Sequence, residues 1–282
     1  MPTPRSVFAI AAYMNKIYVM GGIFAANRPD YSGYTGVNEV YDPSTDTWET
    51  MEPMPTPRSA LQANVADDGI YLIGGAKYSV IPPTFSQSTE GVNEVYDPLT
   101  DSWSTKTPDP IKISLYPSAV VDNKIYIPLG TTQIYNPETD SWSYGEAIPT
   151  GYFGAVYAAA GATTGVLAPK RIYVFGGMEG HNVATNHTQV YDPETDTWTT
   201  GTSMPTPRWA LGVAVVNDEL YVIGGKTGAD TFSAVNEKYT PVDYIPEFPV
   251  WTPLLLALTV LAVVVAIYKR RLLKSNLLTN DG

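Results

Sequence analysis

The chain has 282 residues, with 28 acidic against 17 basic side chains, a net charge of −11, no cysteine and two histidines. That composition excludes a disulfide framework, a thiol nucleophile and a histidine-rich metal centre, and a surface of this sign repels nucleic acid. With 24 prolines and 23 glycines, any 3.6-residue pattern before residue 250 is broken every few positions.

Short strands joined by turns remain, and they recur. The first unit, about residues 1–53, opens on Met1-Pro2-Thr3-Pro4-Arg5. It runs through an apolar strand at 17–20 into Gly21-Gly22, then reaches a Tyr-Asp-Pro-x-Thr-Asp-x-Trp turn from Tyr41 to Trp48. The second, about 54–108, repeats this order with Met54 to Arg58, Gly74-Gly75, and Tyr96 to Trp103. Its strands are expected at 59–65, 70–73, 93–96 and around Trp103.

The third unit, about 109–147, departs most. It has Leu129-Gly130 for the glycine pair, Tyr135-Asn136-Pro137 leading to Trp142, and no arginine. The fourth, about 148–203, restores Gly176-Gly177 and Tyr191 to Trp198, again without that arginine. The fifth, about 204–241, has Met204 to Arg208 and Gly224-Gly225 but stops at Tyr239-Thr240-Pro241, with no tryptophan-bearing strand. Each strand running into the glycines is apolar on both faces, which requires cover from both sides. Four-stranded blades packed between neighbouring blades meet that requirement.

Local chemistry explains the turn. Asp-Pro sets one dihedral and offers an Asx-type hydrogen bond, Thr-Asp closes the hairpin, and the tryptophan ring is expected between blades. A calcium reading of Asp42, Asp46 and their equivalents lacks the closely alternating ligands and the glycine of a calcium loop. The repeat position of Arg5, Arg58 and Arg208 suggests a structural partner for each.

The glycine pairs, the tyrosine and tryptophan at fixed separation and the Met-Pro-Thr-Pro-Arg segments resemble kelch repeats over residues 1–241. The resemblance implies an all-β kelch β-propeller of five four-stranded units. Propellers of that family usually close with six or seven blades, by pairing strands from both chain ends. The fifth unit lacks its outer strand, so an upstream strand and blade before Met1 are expected, with a five-unit open ring as the alternative. The resemblance also brings enzymes into view. The galactose oxidase type works at a copper centre made with a cysteine-tyrosine crosslink and two histidines, which a chain with no cysteine and only His181 and His187, both in one loop, cannot assemble. A sialidase- or epimerase-like set of arginine, carboxylate and tyrosine is not singled out by this sequence. No cofactor and no metal site is expected.

Residues 242–249 read as a linker and 250–268 as a membrane-spanning helix: 19 uncharged residues, about 28 Å long at 1.5 Å per residue. Lys269, Arg270, Arg271 and Lys274 follow it, so the 269–282 tail is expected in the cytoplasm and the propeller outside. Pro246-Glu247-Phe248, just before the span, resembles the C-terminal sorting signal of archaeal surface proteins, which implies a sorting transpeptidase as a partner. No export signal is visible near Met1. Residues 1–249 hold 13 basic against 27 acidic side chains, a composition that keeps an external domain soluble.

Recognition is expected on the face where the d–a and b–c connections emerge, because the b–c loops are long and variable while the opposite turns are mostly tight. The candidate contact residues there are Phe24, Arg28, Tyr31, Tyr34, Tyr78, Phe85, Met178, His181, His187 and Phe232. Asn186-His187-Thr188 is a glycosylation sequon. Taken together, these features read as a cell-surface module binding an extracellular protein or glycan. A carbohydrate-active enzyme and a structural envelope component are the alternatives.

Overall fold

In the computed structural model, the described residues are 1–24, 33–81, 84–89, 91–150, 157–179, 183–229 and 231–245. They divide between a compact unit, Met1–Asp243, and a second that begins at Tyr244. The expected span at 250–268, the basic tail and Pro246 to Phe248 lie outside the described residues. Among those described, no helix is long and apolar enough to cross a membrane.

The compact unit is a five-bladed β-propeller. In chain order, a small pair formed by β1 (Arg5–Ser6) and β4 (Ile23–Phe24) flanks blade 1, which comprises β2 (Ala9–Tyr13), β3 (Lys16–Met20), β5 (Asn38–Asp42) and β6 (Thr47–Met51). Blade 2 is β7 (Gln62–Ala66), β8 (Gly69–Ile73), β11 (Asn93–Asp97) and β12 (Ser102–Thr105), with a hairpin, β9 (Ala76–Ile81) and β10 (Thr84–Thr89), between its middle strands. Blade 3 is β13 (Ala119–Val121), β14 (Lys124–Leu129), β15 (Thr131–Asn136) and β16 (Ser141–Ala147). Blade 4 is β17 (Ala159–Ala162), β18 (Ile172–Phe175), β21 (Thr188–Asp192) and β22 (Thr197–Thr200), with a hairpin of β19 (Met178–Glu179) and β20 (Val183–Ala184). Blade 5 has three strands, β23 (Gly212–Val216), β24 (Glu219–Ile223) and β25 (Asn236–Tyr239).

Tight a–b turns carry two consecutive left-handed residues, Met14-Asn15, Asp67-Asp68, Asp122-Asn123 and Asn217-Asp218. That backbone is the two-residue hairpin turn whose twist matches the strands. The c–d turns behave as their sequence suggests. Asp42, Asp97 and Asp192 accept the main-chain N–H two residues on, at 2.9, 2.8 and 2.9 Å, and Asn136 does the same at 3.1 Å. The second aspartate of each turn is left-handed and accepts the motif tyrosine hydroxyl: Tyr41 to Asp46, Tyr96 to Asp101, Tyr135 to Asp140 and Tyr191 to Asp196.

Neighbouring blades are joined by couplings of four kinds. A tyrosine of each second strand packs on the motif tyrosine of the next blade: Tyr18 on Tyr96, Tyr71 on Tyr135, Tyr126 on Tyr191 and Tyr173 on Tyr239, with centroids 5.4–6.1 Å apart. The second glycine of a pair donates across the seam, Gly22 to Arg58, Gly75 to Ile113 and Gly177 to Arg208. The turn aspartate and tryptophan grip the exit of the preceding blade. Glu52 N–H donates to Asp101 and its carbonyl accepts from Trp103 Nε1, and the same clasp joins Thr107 to Asp140 and Trp142, and Glu146 to Asp196 and Trp198.

The fourth coupling corrects the first-strand assignment. The expected strand at 59–65 begins instead at Gln62, because Ala60 is left-handed. Val7, Ala60, Leu115, Tyr157 and Ala210 share that conformation around the axis. The last four each donate an N–H to the carbonyl of the one before, Ala60 to Val7, Leu115 to Ala60, Tyr157 to Leu115 and Ala210 to Tyr157, at 2.8–3.2 Å.

The relay has two ends. Among the described residues no main-chain bond joins Val7 N–H to the Ala210 carbonyl, and Gly225 N–H reaches no acceptor across a seam. The outer faces there are exposed, with Ile10 55 % and Ile223 46 % accessible. Among the described residues, blades 5 and 1 thus lack the main-chain bonds that join the other seams.

The repeat arginines have the partners their position suggested. Arg5 meets Glu39 at 2.6 Å, Arg58 meets Glu94 at 2.5 Å and Arg208 meets Glu237 at 2.6 Å, each guanidinium fully buried. Where the third unit lacks the arginine, Ile113 takes its place and Gln133 replaces the glutamate. The pair is thus kept or dropped as a whole, which avoids an uncompensated buried charge.

Asp218, in the a–b turn of blade 5, ties down the one long loop of the opposite face. It accepts from the N–H groups of Thr164, Leu167 and Ala168 at 2.6, 2.7 and 3.1 Å. Burial alone would raise its pKa, but these donors outweigh burial and hold the carboxyl below its usual value. A depressed folded-state pKa contributes stability above the unfolded value of about 4, lost as pH falls through the folded one. Asp218→Asn is expected to cost about 1–3 kcal/mol at neutral pH. The gap from wild type in urea unfolding should shrink as the pH drops below about 4, and a gap that is constant with pH would refute this role.

Candidate functional site

The five left-handed residues place their neighbours around the axis, on the face where the d–a and b–c connections emerge. Val7, Phe8, Leu61, Tyr116, Ala158 and Leu211 contribute to the wall of a cavity of about 630 Å³. On the blade 5 side the wall is built by Trp209, Lys226, Phe232 and Ser233. Main-chain bonds in both directions between Trp209 and Lys226, 3.0 and 2.8 Å, fix the two side by side.

Aromatic groups and one cation dominate this side. Tyr157 meets Trp209 edge-on with centroids 5.1 Å apart. Lys226 Nζ stands 5.0 Å from the Trp209 ring and 4.7 Å from Phe232, and donates to the Ala229 carbonyl at 2.8 Å. The ammonium is thereby sandwiched between two ring faces, an attraction that strengthens as water is removed. Trp209 is 9 % exposed, and its Nε1 has no hydrogen-bond partner among the described residues. A buried indole N–H usually finds an acceptor, so this donor is available to a bound group.

The phenols here stay protonated at neutral pH, since burial raises both Tyr157 and Tyr116. Tyr116 is also occupied, donating to the Ile73 carbonyl at 2.5 Å. Among the described residues the lining holds no carboxylate and no imidazole. Nor do the described residues contain a cluster of His, Cys, Asp or Glu fit to hold a metal. Stacking, one cationic contact and hydrogen bonding are what such a wall offers.

Of the candidate contact residues that are described, Phe232 alone lines this cavity, and it is 78 % exposed. Phe24 is half-buried in β4, pairing with Arg5, and Tyr34 bridges to Ile23. Tyr78 and Phe85 lie in the β9–β10 hairpin, opposite Gln87 and Val80. Met178 is in β19, and His187 Nε2 is 3.3 Å from Glu179. Arg28, Tyr31 and His181 lie outside the described residues. The sequon amide is already engaged, as Asn186 Nδ2 donates to the Met204 carbonyl at 3.2 Å.

Trp209, Lys226, Tyr157 and Tyr116 were not picked out by sequence reasoning. One signal was present: after the repeat arginine the first two units have Ser6 and Ser59, and the fifth has Trp209. A large ring where the repeat keeps a hydroxymethyl points to a local task.

The kelch motif profile matches residues 4–55 and 163–205. Among curated proteins, the chain is similar to Kelch-like protein terF of Aspergillus terreus, 29 % identical over 225 residues, covering 79 % of this chain and 39 % of that protein. It is similar to Kelch-like protein 25 of Xenopus tropicalis, 25 % identical over 236 residues and covering 83 % and 31 %. It is also similar to human Kelch repeat and BTB domain-containing protein 12, 24 % identical over 245 residues and covering 85 % and 33 %. The chain therefore spans less than half the length of these relatives. Among solved structures, that of YjhT superposes with a TM-score of 0.64 at 16 % identity, covering 80 % of this chain and 74 % of that one, which shows a shared fold.

Proposed function

We propose that this protein is a non-catalytic recognition module that presents the axial cavity and its b–c loops to an extracellular protein or glycan. The observation that carries the reading is the sandwich of Trp209, Lys226 and Phe232 beside an indole N–H that has no partner among the described residues. Aromatic platforms with one cation suit a sugar face or a peptide side chain and its carbonyls. The curated relatives carry kelch-like names, in keeping with an interaction role.

Attachment to the cell surface belongs to the same proposal. It is supported by the uncharged 250–268 segment, by the four basic residues after it and by the acidic composition before it. Pro246 to Phe248 make a sorting transpeptidase the enzyme to test for processing. Protease protection of the tail in sealed vesicles, with the propeller digestible from outside, is the expected topology.

For recognition, the full chain in detergent would be screened on a glycan array and against envelope proteins, with hits measured by calorimetry. Trp209→Ala is expected to weaken a hit about 30-fold, the effect of losing a buried aromatic anchor. Unchanged affinity in Trp209→Ala and in Phe232→Ala would refute the site, and turnover of a bound glycan would refute the non-catalytic reading.

A further inference from the structure

The direction of β25 sets the face on which the chain leaves the propeller. β24 starts beside the a–b turn of Asn217 and Asp218, on the face of the tight turns, and runs into Gly224-Gly225 on the face of the axial cavity. β25 returns antiparallel to it, Asn236 beside Ile223 and Tyr239 beside Leu220, so its end is back at the turn face. Thr240 then donates to Glu219 Oε1 at 3.1 Å. Val242 and Asp243 share a small hollow with Arg171 and with Pro169, which lies in the loop that Asp218 ties down. The exit is on the face opposite the cavity.

Only residues 244–249, with Pro246 and Pro249 among them, separate this exit from the uncharged 250–268 segment. Six residues reach about 20 Å when fully extended. The six residues of β15, Thr131–Asn136, themselves run about 20 Å along one blade from the cavity face to the turn face. A tether that starts at the turn face is therefore spent in climbing a single blade, and none is left to lay the cavity face on a bilayer. Charge acts in the same direction. Asp46, Asp67, Asp68, Glu138 and Glu194 are exposed in the turns of the exit face, and carboxylates there resist close adsorption to acidic headgroups.

We propose that the chain's exit holds the axial cavity away from the bilayer, so that the site takes its ligand from the medium or from an apposed surface and not from the headgroups of the membrane that carries it. This placement rests on residues 250–268 acting as the membrane anchor proposed for them. It gives the recognition site a direction: a partner approaches along the propeller axis from the side remote from the lipid. A short-headed lipid of the same bilayer meets the acidic turn face instead.

The chain has no cysteine, so one introduced thiol is a unique point of labelling. Thr131→Cys and Glu138→Cys would place a fluorophore at the two ends of blade 3, the first on the cavity face and the second in the c–d turn. Both side chains are exposed, so neither change burdens the fold. The full chain, labelled at one position or the other, would be reconstituted into phosphatidylcholine vesicles that carry an energy acceptor on the headgroups. Flotation reads attachment, and energy transfer reads which end is nearer the lipid. Co-flotation is expected, with stronger transfer from position 138 than from position 131. Equal transfer, or stronger transfer from position 131, in vesicles that carry the protein overturns the placement and leaves the anchor standing. Protein that stays in the lipid-free fraction overturns the anchor and the placement with it.

Discussion

Gly176→Ala is expected to destabilise the propeller by about 3–4 kcal/mol, whereas Gly224→Ala, at the same backbone angle, should cost about 1 kcal/mol. Both glycines are left-handed, with φ of 65° and 66°. They differ in their neighbours. A Cβ on Gly176 would stand 2.2 Å from the Arg208 carbonyl and 2.9 Å from Leu211, across the seam between blades 4 and 5. Among the described residues, one on Gly224 would meet nothing closer than the Ser233 carbonyl at 3.7 Å.

The Arg208 carbonyl cannot easily yield. Its side chain is held by Glu237 and by the Gly224 carbonyl, and its carbonyl accepts from Gly177 N–H. The Gly224 variant therefore measures left-handed strain alone, and the difference between the two measures the seam. Urea unfolding monitored by tryptophan fluorescence would provide both values. Equal losses would mean that blades 4 and 5 do not pack as described.

Arg58→Ile should cost about 3–5 kcal/mol, since it strands a buried carboxylate. Glu94 is 2 % exposed and its Oε2 lies 2.5 Å from the guanidinium. Arg58 also donates to the carbonyls of Leu72 and Gly74, so the loss includes those bonds. The double variant Arg58→Ile with Glu94→Gln copies the pairing that blade 3 already uses in Ile113 and Gln133. It should recover most of the stability, a coupling between contacting residues that a double-mutant cycle detects. A double variant as unstable as the sum of the two singles would show that the ion pair is not a replaceable unit.

Local turn chemistry was legible in the sequence because its partners lie within five residues of one another. The Asx bonds of Asp42, Asp97, Asn136 and Asp192 follow from Asp-Pro or Asn-Pro before a turn. The both-sides-buried strand of each unit follows from its unbroken apolar run, as in β8. Five recurrences of one such unit made the blade, the seam and the propeller a single deduction. Even the three-stranded form of the described part of the fifth unit could be read from the lack of an Asp-Pro-x-Thr-Asp-x-Trp turn directly after Tyr239.

The contacts across the ring were decided only by tertiary structure. Blade closure brings Trp209 to Tyr157, and a second connection brings Lys226 and Phe232 over the same ring. Nothing in the spacing of these residues marks them as neighbours. The loops named from their length and aromatic content belong to several blades, and of their described candidates only Phe232 reaches the axial cavity. The main-chain relay from Val7 to Ala210 was hidden for a related reason. Ordinary residues are left-handed there, four of the five bonded to the blade before, so no glycine signals the position.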